Sequence, residues 1–140
     1  MMRAFERKMR EGRAISKEQL EQVATQVVDA AFHVHKRLGP GLLEVVYEIC
    51  LVRELEKRGL RVERQVAVPI IYDDVEVQKA FEIDILVEGA IVLELKSVEM
   101  IHKKHHAQLV AYLKLSGAKL GFLLNFNEAV LRDGIKRKAL

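Results

Sequence analysis

The sequence predicts an α/β domain built around a mixed sheet, and three observations support this prediction. The chain has 140 residues, enough for one domain, and 50% of them are apolar. Apolar residues recur with helical spacing in the first part of the chain and then alternate with polar residues, as in strands. Helical spacing returns before a final run that is almost entirely apolar. The predicted order is therefore two helices, three antiparallel strands, a helix and a strand.

Two helices are predicted before the first strand. The apolar spacing extends over residues 17–37, and Ser16 with Gln19 three positions later has the pattern of a capping box. The sequence Gly39-Pro40-Gly41 ends this helix, because glycine and proline both interrupt helical structure. A second helix is predicted over about 42–58, immediately before a glycine that is typical of a helix end.

The second half of the chain predicts an antiparallel set of strands and one more helix-strand unit. Valine and isoleucine alternate with polar residues, and Asp73-Asp74 and Glu88-Gly89 mark the turns between strands. The predicted elements are strands at 62–72, 75–87 and 90–96, a helix at 101–116 and a strand at 118–125. The last strand is nearly all apolar, as expected of a strand that is covered on both faces.

The charge is distributed unevenly along the chain. Residues 1–15 are interpreted as a charged N-terminal arm and residues 16–140 as a single domain. The formal net charge is +3, but 1–13 and 132–140 together contribute +6, which leaves 14–131 at −3. Basic ends of this kind bind phosphate backbones without sequence preference or simply lie in solvent, and charge alone does not decide between these alternatives.

The sequence also bears on location. No apolar run is long enough to span a bilayer, and charged residues from Arg3 to Arg10 interrupt the segment where a signal peptide would have its apolar core. The single cysteine, Cys50, excludes an internal disulfide. We therefore expect a cytoplasmic protein without membrane contact.

Three charged residues lie in apolar strand sequence, where unpaired charges are least tolerated. They are Asp84 on the second predicted strand and Glu94 and Lys96 on the third. Glu94 and Lys96 are two positions apart and so share a face. A three-residue loop at 88–90 pairs Asp84 with Glu94. It also pairs Glu82 with Lys96, whereas a two-residue loop puts Asp84 on the other side. We predict the three-residue loop, because its glycine tolerates the left-handed conformation that such a loop requires.

Two opposed carboxylates repel each other, and a bound cation removes the repulsion. Carboxylate oxygens favour Mg²⁺ or Mn²⁺, and such an ion polarises a phosphodiester and lowers the pKa of bound water. Lys96 would position that water or stabilise charge on phosphorus. Asp84, Glu94 and Lys96 are thus candidate catalytic residues, the first two as metal ligands. The alternative is a salt-bridge ladder on a solvent face, in which Glu82 faces Lys96.

The chain resembles a family of small proteins named after the motif GxxExxY. The resemblance covers nearly all of residues 20–135, in five blocks: Gly41–Tyr47, Asp84, Glu94–Lys96, His105–Leu113 and Gly121–Phe126. This family is similar in turn to the PD-(D/E)XK, restriction-endonuclease-like, nuclease superfamily. The core of that superfamily, a helix, three antiparallel strands, a helix and a strand, agrees with the predicted order, to which this chain adds an N-terminal helix. One departure is Ile83, which stands at a position where the superfamily motif has proline.

The resemblance implies roles for the residues of the charged cluster. Asp84 and Glu94 would be metal ligands, and Lys96 would be the catalytic lysine. Glu44 would approach the metal directly or through water, and its place near the start of a helix suits a carboxylate. The alternative for Glu44 is that it merely helps to start the helix. Tyr47 would support the site or pack in the core.

The predicted helix at 101–116 resembles the Q-x3-Y helix of RecB-type nucleases. Gln108 and Tyr112 are four residues apart on one helical face, and His105 precedes Gln108 by three. Gln108 would orient water or a phosphate oxygen, with Tyr112 and His105 in support, although Tyr112 is equally typical of a core position. Lys103 and Lys104 are candidates for contact with a phosphate backbone, or they form a solvated turn.

Two functions are compatible with these residues. The first is a Mg²⁺- or Mn²⁺-dependent nuclease that hydrolyses the phosphodiester bonds of DNA or RNA. The second is a non-catalytic module that uses the nuclease fold to bind a protein or nucleic-acid partner, because one fold hosts many functions. A homodimer would supply a second site and a wider groove.

Overall fold

The computed structural model describes residues 4–140, which form four α-helices and one five-stranded sheet. The helices are α1 (Ala4–Arg13), α2 (Lys17–Leu38), α3 (Glu44–Lys57) and α4 (Lys103–Ser116). The strands are β1 (Val62–Tyr72), β2 (Val75–Val87), β3 (Ile91–Lys96), β4 (Leu120–Asn125) and β5 (Ile135–Ala139), with a short 3-10 helix at Leu131–Gly134. The predicted α/β class with a mixed sheet is confirmed. In the described part of the chain, no helix is long and apolar enough to cross a membrane.

The strands lie in the order β1-β2-β3-β4-β5. All neighbours are antiparallel except β3 and β4, which run parallel because α4 connects them. The loop between β2 and β3 is the predicted three-residue loop, with Val87 paired with Ile91 and Ile85 with Leu93. Glu88 and Gly89 both take left-handed conformations, with φ of 53° and 61°. This loop fixes which side chains of β2 and β3 face each other.

Helices cover both faces of the sheet. The first face packs against α2 and α3 through a core that contains Leu51, Leu55, Leu93, Leu95 and Phe122. The second face packs against α1 and α4 through Met9, Leu86, Val92, Leu109 and Leu113. β4 lies between the two layers and is buried at every residue, as its apolar sequence predicted. The capping box that starts α2 is also present, with Ser16 and Gln19 exchanging two hydrogen bonds of 3.0 Å.

The ends of the chain pack against the sheet in ways that the sequence pattern did not predict. The strand β5 pairs with β4, and Arg137 on it forms an ion pair with Glu21 and lies over the Phe122 ring, 5.8 Å from its centroid. The helix α1 lies against the sheet with Met9 fully buried. Its Gly12 is so close to the β2–β3 loop that an added Cβ would lie 1.8 Å from the Gly89 carbonyl oxygen. Some of the terminal basic residues are therefore part of packed elements.

Candidate metal centre and active site

The site lies where two strands change the face that they present to the core. Ile85 packs on the α2–α3 side of the sheet, whereas Ile83, two residues earlier, packs on the α4 side. On β1, Val62 packs on the α2–α3 side and Val66 on the α4 side. Gln65, which lies between them, has a φ of 49°. In a regular strand, alternate residues lie on the same face of the sheet. A change of face within the strand therefore alters the direction of the side chain at that point. The residue at that point on β2 is Asp84.

Asp84 and Glu94 face each other, as the three-residue loop predicts. The backbone pairing of β2 with β3 ends at Ile85. Beyond it, hydrogen bonds from backbone N–H groups to the two carboxylates link the strands. The Leu95 N–H donates to Asp84 Oδ2 over 2.9 Å, and the Asp84 N–H donates to Glu94 Oε1 over 3.3 Å. Glu94 has 4% of its surface exposed and Asp84 is half-buried. The alternative of a ladder on a solvent face is therefore wrong for Glu94.

The predicted pair of Glu82 and Lys96 is also wrong. Glu82 pairs with Ala67 on β1 and its carboxylate bonds to Lys79. Lys96 pairs with Asn125 on the parallel strand β4, and no ladder partner on β2 faces it from the other side. The physical reason is that the β2–β3 ladder stops at Ile85, so the register does not extend to the next pair of residues.

The buried carboxylates are electrostatically strained. Burial is the main cause that raises the pKa of Glu94 to about 9, and the negative charge of Asp84 adds to it. Burial also raises the pKa of Asp84, although the Leu95 N–H partly offsets the shift. The positive charge of Lys96 lowers the pKa of both carboxyl groups, but by less than burial raises it. Lys96 does not fully neutralise the pair.

Glu44 approaches this pair from the first turn of α3. Its side chain lies at the surface, yet partial burial raises its pKa, the charge of Asp84 raises it further and Lys96 lowers it. Glu44 therefore lies within electrostatic range of the carboxylate pair and the lysine. The same helix brings in Glu48, which is 5% exposed and which sequence reasoning missed. Its position four residues after Glu44, on the same helical face, is the signal that would have indicated it.

Glu48, unlike the carboxylate pair, receives its hydrogen bonds from a guanidinium and a side-chain amide. Arg64 donates to Glu48 Oε2 from Nε and Nη2 at 3.2 and 2.5 Å, and Gln65 Nε2 donates to Oε1 at 2.7 Å. These three bonds satisfy a buried charge in the way that buried charges require. We therefore assign Glu48 to a structural ion pair that borders the site and adds to its negative charge.

The helix α4 forms the other wall of the site. Gln108 Nε2 donates to the Tyr112 hydroxyl over 2.9 Å, and the Tyr112 ring stacks on Phe81 of β2 with centroids 4.0 Å apart. The pKa of Tyr112 is raised by burial first and then by the charges of Glu94 and Asp84, so its hydroxyl lies near the carboxylates. The predicted Gln-Tyr pair thus exists, and Tyr112 both packs and faces the site.

The start of α4 brings positive charge to the same region. His105 has its pKa lowered by burial and then by the charges of Lys96 and Lys104, so these cations lie near one another. The His105 ring accepts a hydrogen bond of 3.0 Å from the His102 N–H, which caps the helix. Lys103 and Lys104 are exposed, and α4 has no acidic residue in its first turn. This end of α4 therefore attracts anions.

Not every concave surface belongs to the site. A cavity of about 450 Å³ lies at the other end of β3 and β4, where Ala90 and Leu120 line it together with Arg13 and Arg137. Its lining includes none of Asp84, Glu94, Glu44 and Glu48. The carboxylate pair and Lys96 lie instead on β2 and β3, beside the first turn of α3 and the helix α4.

The donor set fits a hard divalent cation. Within residues 4–140, no group of three or more histidine, cysteine, aspartate or glutamate side chains is arranged to hold a metal by itself. Mg²⁺ is commonly bound by one or two carboxylates and otherwise by water and substrate phosphates, and Asp84 with Glu94 meets this requirement. Glu44 does not complete a three-residue group, so its contribution to a bound ion would pass through water.

Comparison with known proteins identifies the superfamily. The profile of the PD-(D/E)XK nuclease superfamily matches residues 21–138, which is most of the chain. The protein belongs to this superfamily, whose members generally use divalent metal ions. No curated protein and no solved structure shows significant similarity to the chain.

Proposed function

We propose that the protein is a divalent-metal-dependent nuclease that hydrolyses the phosphodiester bonds of DNA or RNA. In this proposal Asp84 and Glu94 hold Mg²⁺ or Mn²⁺, and Glu44 orients a water molecule of the ion. Lys96 and Gln108 act on the attacking water and on the phosphate. The superfamily match supports the nuclease class, and the geometry of the opposed carboxylates supports these roles.

The opposed buried carboxylates are the observation that carries the proposal. Two adjacent acidic groups, one of them with a pKa raised to about 9, are costly to maintain in a folded protein. A divalent cation between them would replace mutual repulsion with attraction. A structural ion pair does not account for them, because Lys96, the cation that lowers the pKa of both, offsets only part of their shift.

The surrounding residues suit phosphodiester hydrolysis. A bound divalent ion would polarise the phosphate and lower the pKa of its water. The ammonium of Lys96 would stabilise negative charge as water attacks phosphorus and the P–O bond to the leaving oxygen breaks. Gln108, which Tyr112 fixes through the 2.9 Å bond, would hold a phosphate oxygen or the water in line. Lys103 and Lys104 would contact the neighbouring phosphates of the strand.

The finer assignments extend this proposal. The motif Gly41–Tyr47 supports membership of the GxxExxY family within the superfamily. The positive start of α4 supports a nucleic acid as the partner. A cytoplasmic location, a homodimer and the division into an arm (1–15) and a domain (16–140) remain predictions from the sequence.

Calorimetric titration of Mn²⁺ into the protein tests the site directly. The wild type should bind Mn²⁺, and the double variant Asp84→Ala, Glu94→Ala should not. A matched double variant with exposed acidic residues, Glu56→Ala and Asp74→Ala, should bind as the wild type does. Circular dichroism should show that all three proteins are folded.

Substrate cleavage completes the test. Single- and double-stranded DNA and RNA labelled at one end should be cut by the wild type with Mg²⁺ or Mn²⁺ and left intact by the Asp84, Glu94 double variant. Binding of Mn²⁺ to the double variant would contradict the metal site. Binding of nucleic acid or a protein partner without cleavage of any substrate would favour the non-catalytic module.

A further inference from the structure

The motif Gly41–Tyr47 contains a residue for which the proposed mechanism has no use, Tyr47. It lies one helical turn after Glu44, has none of its surface exposed, and stacks on Phe126 with ring centroids 4.7 Å apart. Packing alone would be served as well by phenylalanine. The tyrosine hydroxyl therefore needs its own explanation, since a buried hydroxyl is costly unless it forms hydrogen bonds.

The Tyr47 hydroxyl closes the loop that leads into α3. It donates to the Gly39 carbonyl oxygen over 2.6 Å and accepts from the Leu42 N–H over 3.1 Å. These two bonds join the beginning and the end of the loop 39–43. The loop contains two glycines with positive φ, 70° at Gly39 and 98° at Gly41, and glycine is the residue with the most backbone freedom to lose. The hydroxyl thus restrains the loop 39–43, whose two glycines give the backbone more conformational freedom.

A third hydrogen bond connects this loop to the segment that directly follows β3 and Lys96. The Ser97 hydroxyl, one residue after Lys96, donates to the Leu42 carbonyl oxygen over 2.7 Å. The strand side is itself anchored, because Asn125 bonds to both backbone groups of Val98, at 3.1 and 2.9 Å. The loop before Glu44 is therefore fixed relative to the segment after Lys96.

We propose that Tyr47 is a positioning residue: its hydroxyl, together with that of Ser97, fixes the loop 39–43 so that Glu44 points at the metal held by Asp84 and Glu94. The inference rests on the proposed nuclease site. It explains the spacing of the motif, because Gly41 allows the turn, Glu44 begins the helix, and the tyrosine one turn later reaches back to close the loop. Tyr47 itself touches neither metal nor substrate.

A double-mutant cycle on Mn²⁺ affinity tests the proposal without relying on activity. Tyr47→Phe keeps the stacked ring and removes the hydroxyl. Glu44→Gln removes the carboxylate charge that Tyr47 is proposed to position. Each single variant should weaken Mn²⁺ binding on the order of tenfold, as removal of supporting groups at metal sites does. The double variant should lose no more than the singles, because Tyr47 acts through Glu44.

Two further variants make the test specific. Ser97→Ala should weaken Mn²⁺ binding in the same direction as Tyr47→Phe, since it releases the same loop. Tyr72→Phe removes a hydroxyl from a tyrosine that is 73% exposed on the β1–β2 hairpin, and it should leave the affinity unchanged. In the metal-free protein, the Leu42 amide should exchange faster with solvent in Tyr47→Phe than in the wild type, as measured by NMR.

The outcomes separate this inference from the proposed function. Absence of Mn²⁺ binding to the wild type would overturn the metal site, and the positioning role with it. Binding to the wild type with unchanged affinity in Tyr47→Phe would overturn the positioning role alone. Losses that multiply in the Tyr47, Glu44 double variant would also overturn it, because they would show that the tyrosine acts independently of Glu44.

Discussion

Replacing Glu94 by glutamine should stabilise the metal-free protein at neutral and alkaline pH, although Glu94 is a proposed metal ligand. Glutamine has the shape of protonated glutamate and keeps an oxygen that accepts from the Asp84 N–H, which now bonds to Glu94 Oε1 at 3.3 Å. It does not carry the charge that burial and Asp84 disfavour. The substitution therefore removes the free-energy cost of a buried acidic group beside Asp84 and keeps the hydrogen bond from the Asp84 N–H.

The magnitude follows from the shift in the Glu94 pKa from 4.5 to about 9. Below pH 4.5 the carboxyl is protonated in both the folded and the unfolded chain, and its stabilising contribution is fully present. As the pH rises toward about 9, the unfolded chain releases the proton and the folded chain keeps it, so stability is lost at up to about 1.4 kcal/mol per pH unit. Between pH 5 and pH 8 the advantage of Glu94→Gln should grow by about 4 kcal/mol.

Urea unfolding in the presence of a chelator, followed by far-UV circular dichroism at pH 5, 6, 7 and 8, measures this difference. Comparing each variant with the wild type at the same pH removes the contribution of all other titrating groups. Glu56→Gln, at an exposed position of α3, is the matched control and should follow the wild-type curve. A Glu94→Gln advantage that stays constant across this range, or a loss of stability at pH 8, would refute the claim that the carboxylate is strained.

Two further predictions concern the loaded site. Mn²⁺ affinity measured by calorimetry should rise from pH 6 to pH 8, by up to about tenfold per pH unit, because binding must displace the proton that the raised pKa of Glu94 retains. An affinity independent of pH would contradict this. Lys96→Met should lower the cleavage rate on the order of 100-fold or more while Mn²⁺ binds at least as tightly as in the wild type, because Lys96 is a cation beside the site. Equal losses of binding and cleavage in end-labelled substrate assays would contradict a role of Lys96 in the transition state.

The sequence predicted those parts of the fold that depend on local patterns. The helical spacing and the capping box at Ser16 located α2, and the length of the β2–β3 loop determined the register that brings Asp84 opposite Glu94. Loop length is decisive because a shift of one residue moves every side chain of a strand to the other face. The central pair of the candidate site therefore followed from local sequence alone.

Other features depend on contacts between distant parts of the chain, and the sequence pattern does not contain them. The strand β5 is rich in lysine and arginine and resembles a solvated tail, but pairing with β4 supplies its backbone hydrogen bonds. The β2–β3 ladder ends at Ile85, and Gln65 on the neighbouring strand has a positive φ, two features that no spacing rule predicts. Because the ladder ends there, Glu82 does not meet Lys96.

The contrast between Glu48 and Glu94 gives the strongest physical argument for a cation site. Both are glutamates with about 5% of their surface exposed, and both lie beside Asp84. Glu48 receives three hydrogen bonds from Arg64 and Gln65, whereas Glu94 accepts one long bond from a backbone amide and otherwise shares a side-chain hydrogen bond with the Asp84 carboxyl group. The fold provides a guanidinium for one buried carboxylate and places the next opposite another carboxyl group, so that the second is held by a proton, or by a bound cation once that proton is displaced. A divalent cation is the partner whose charge and ligand preference match this arrangement.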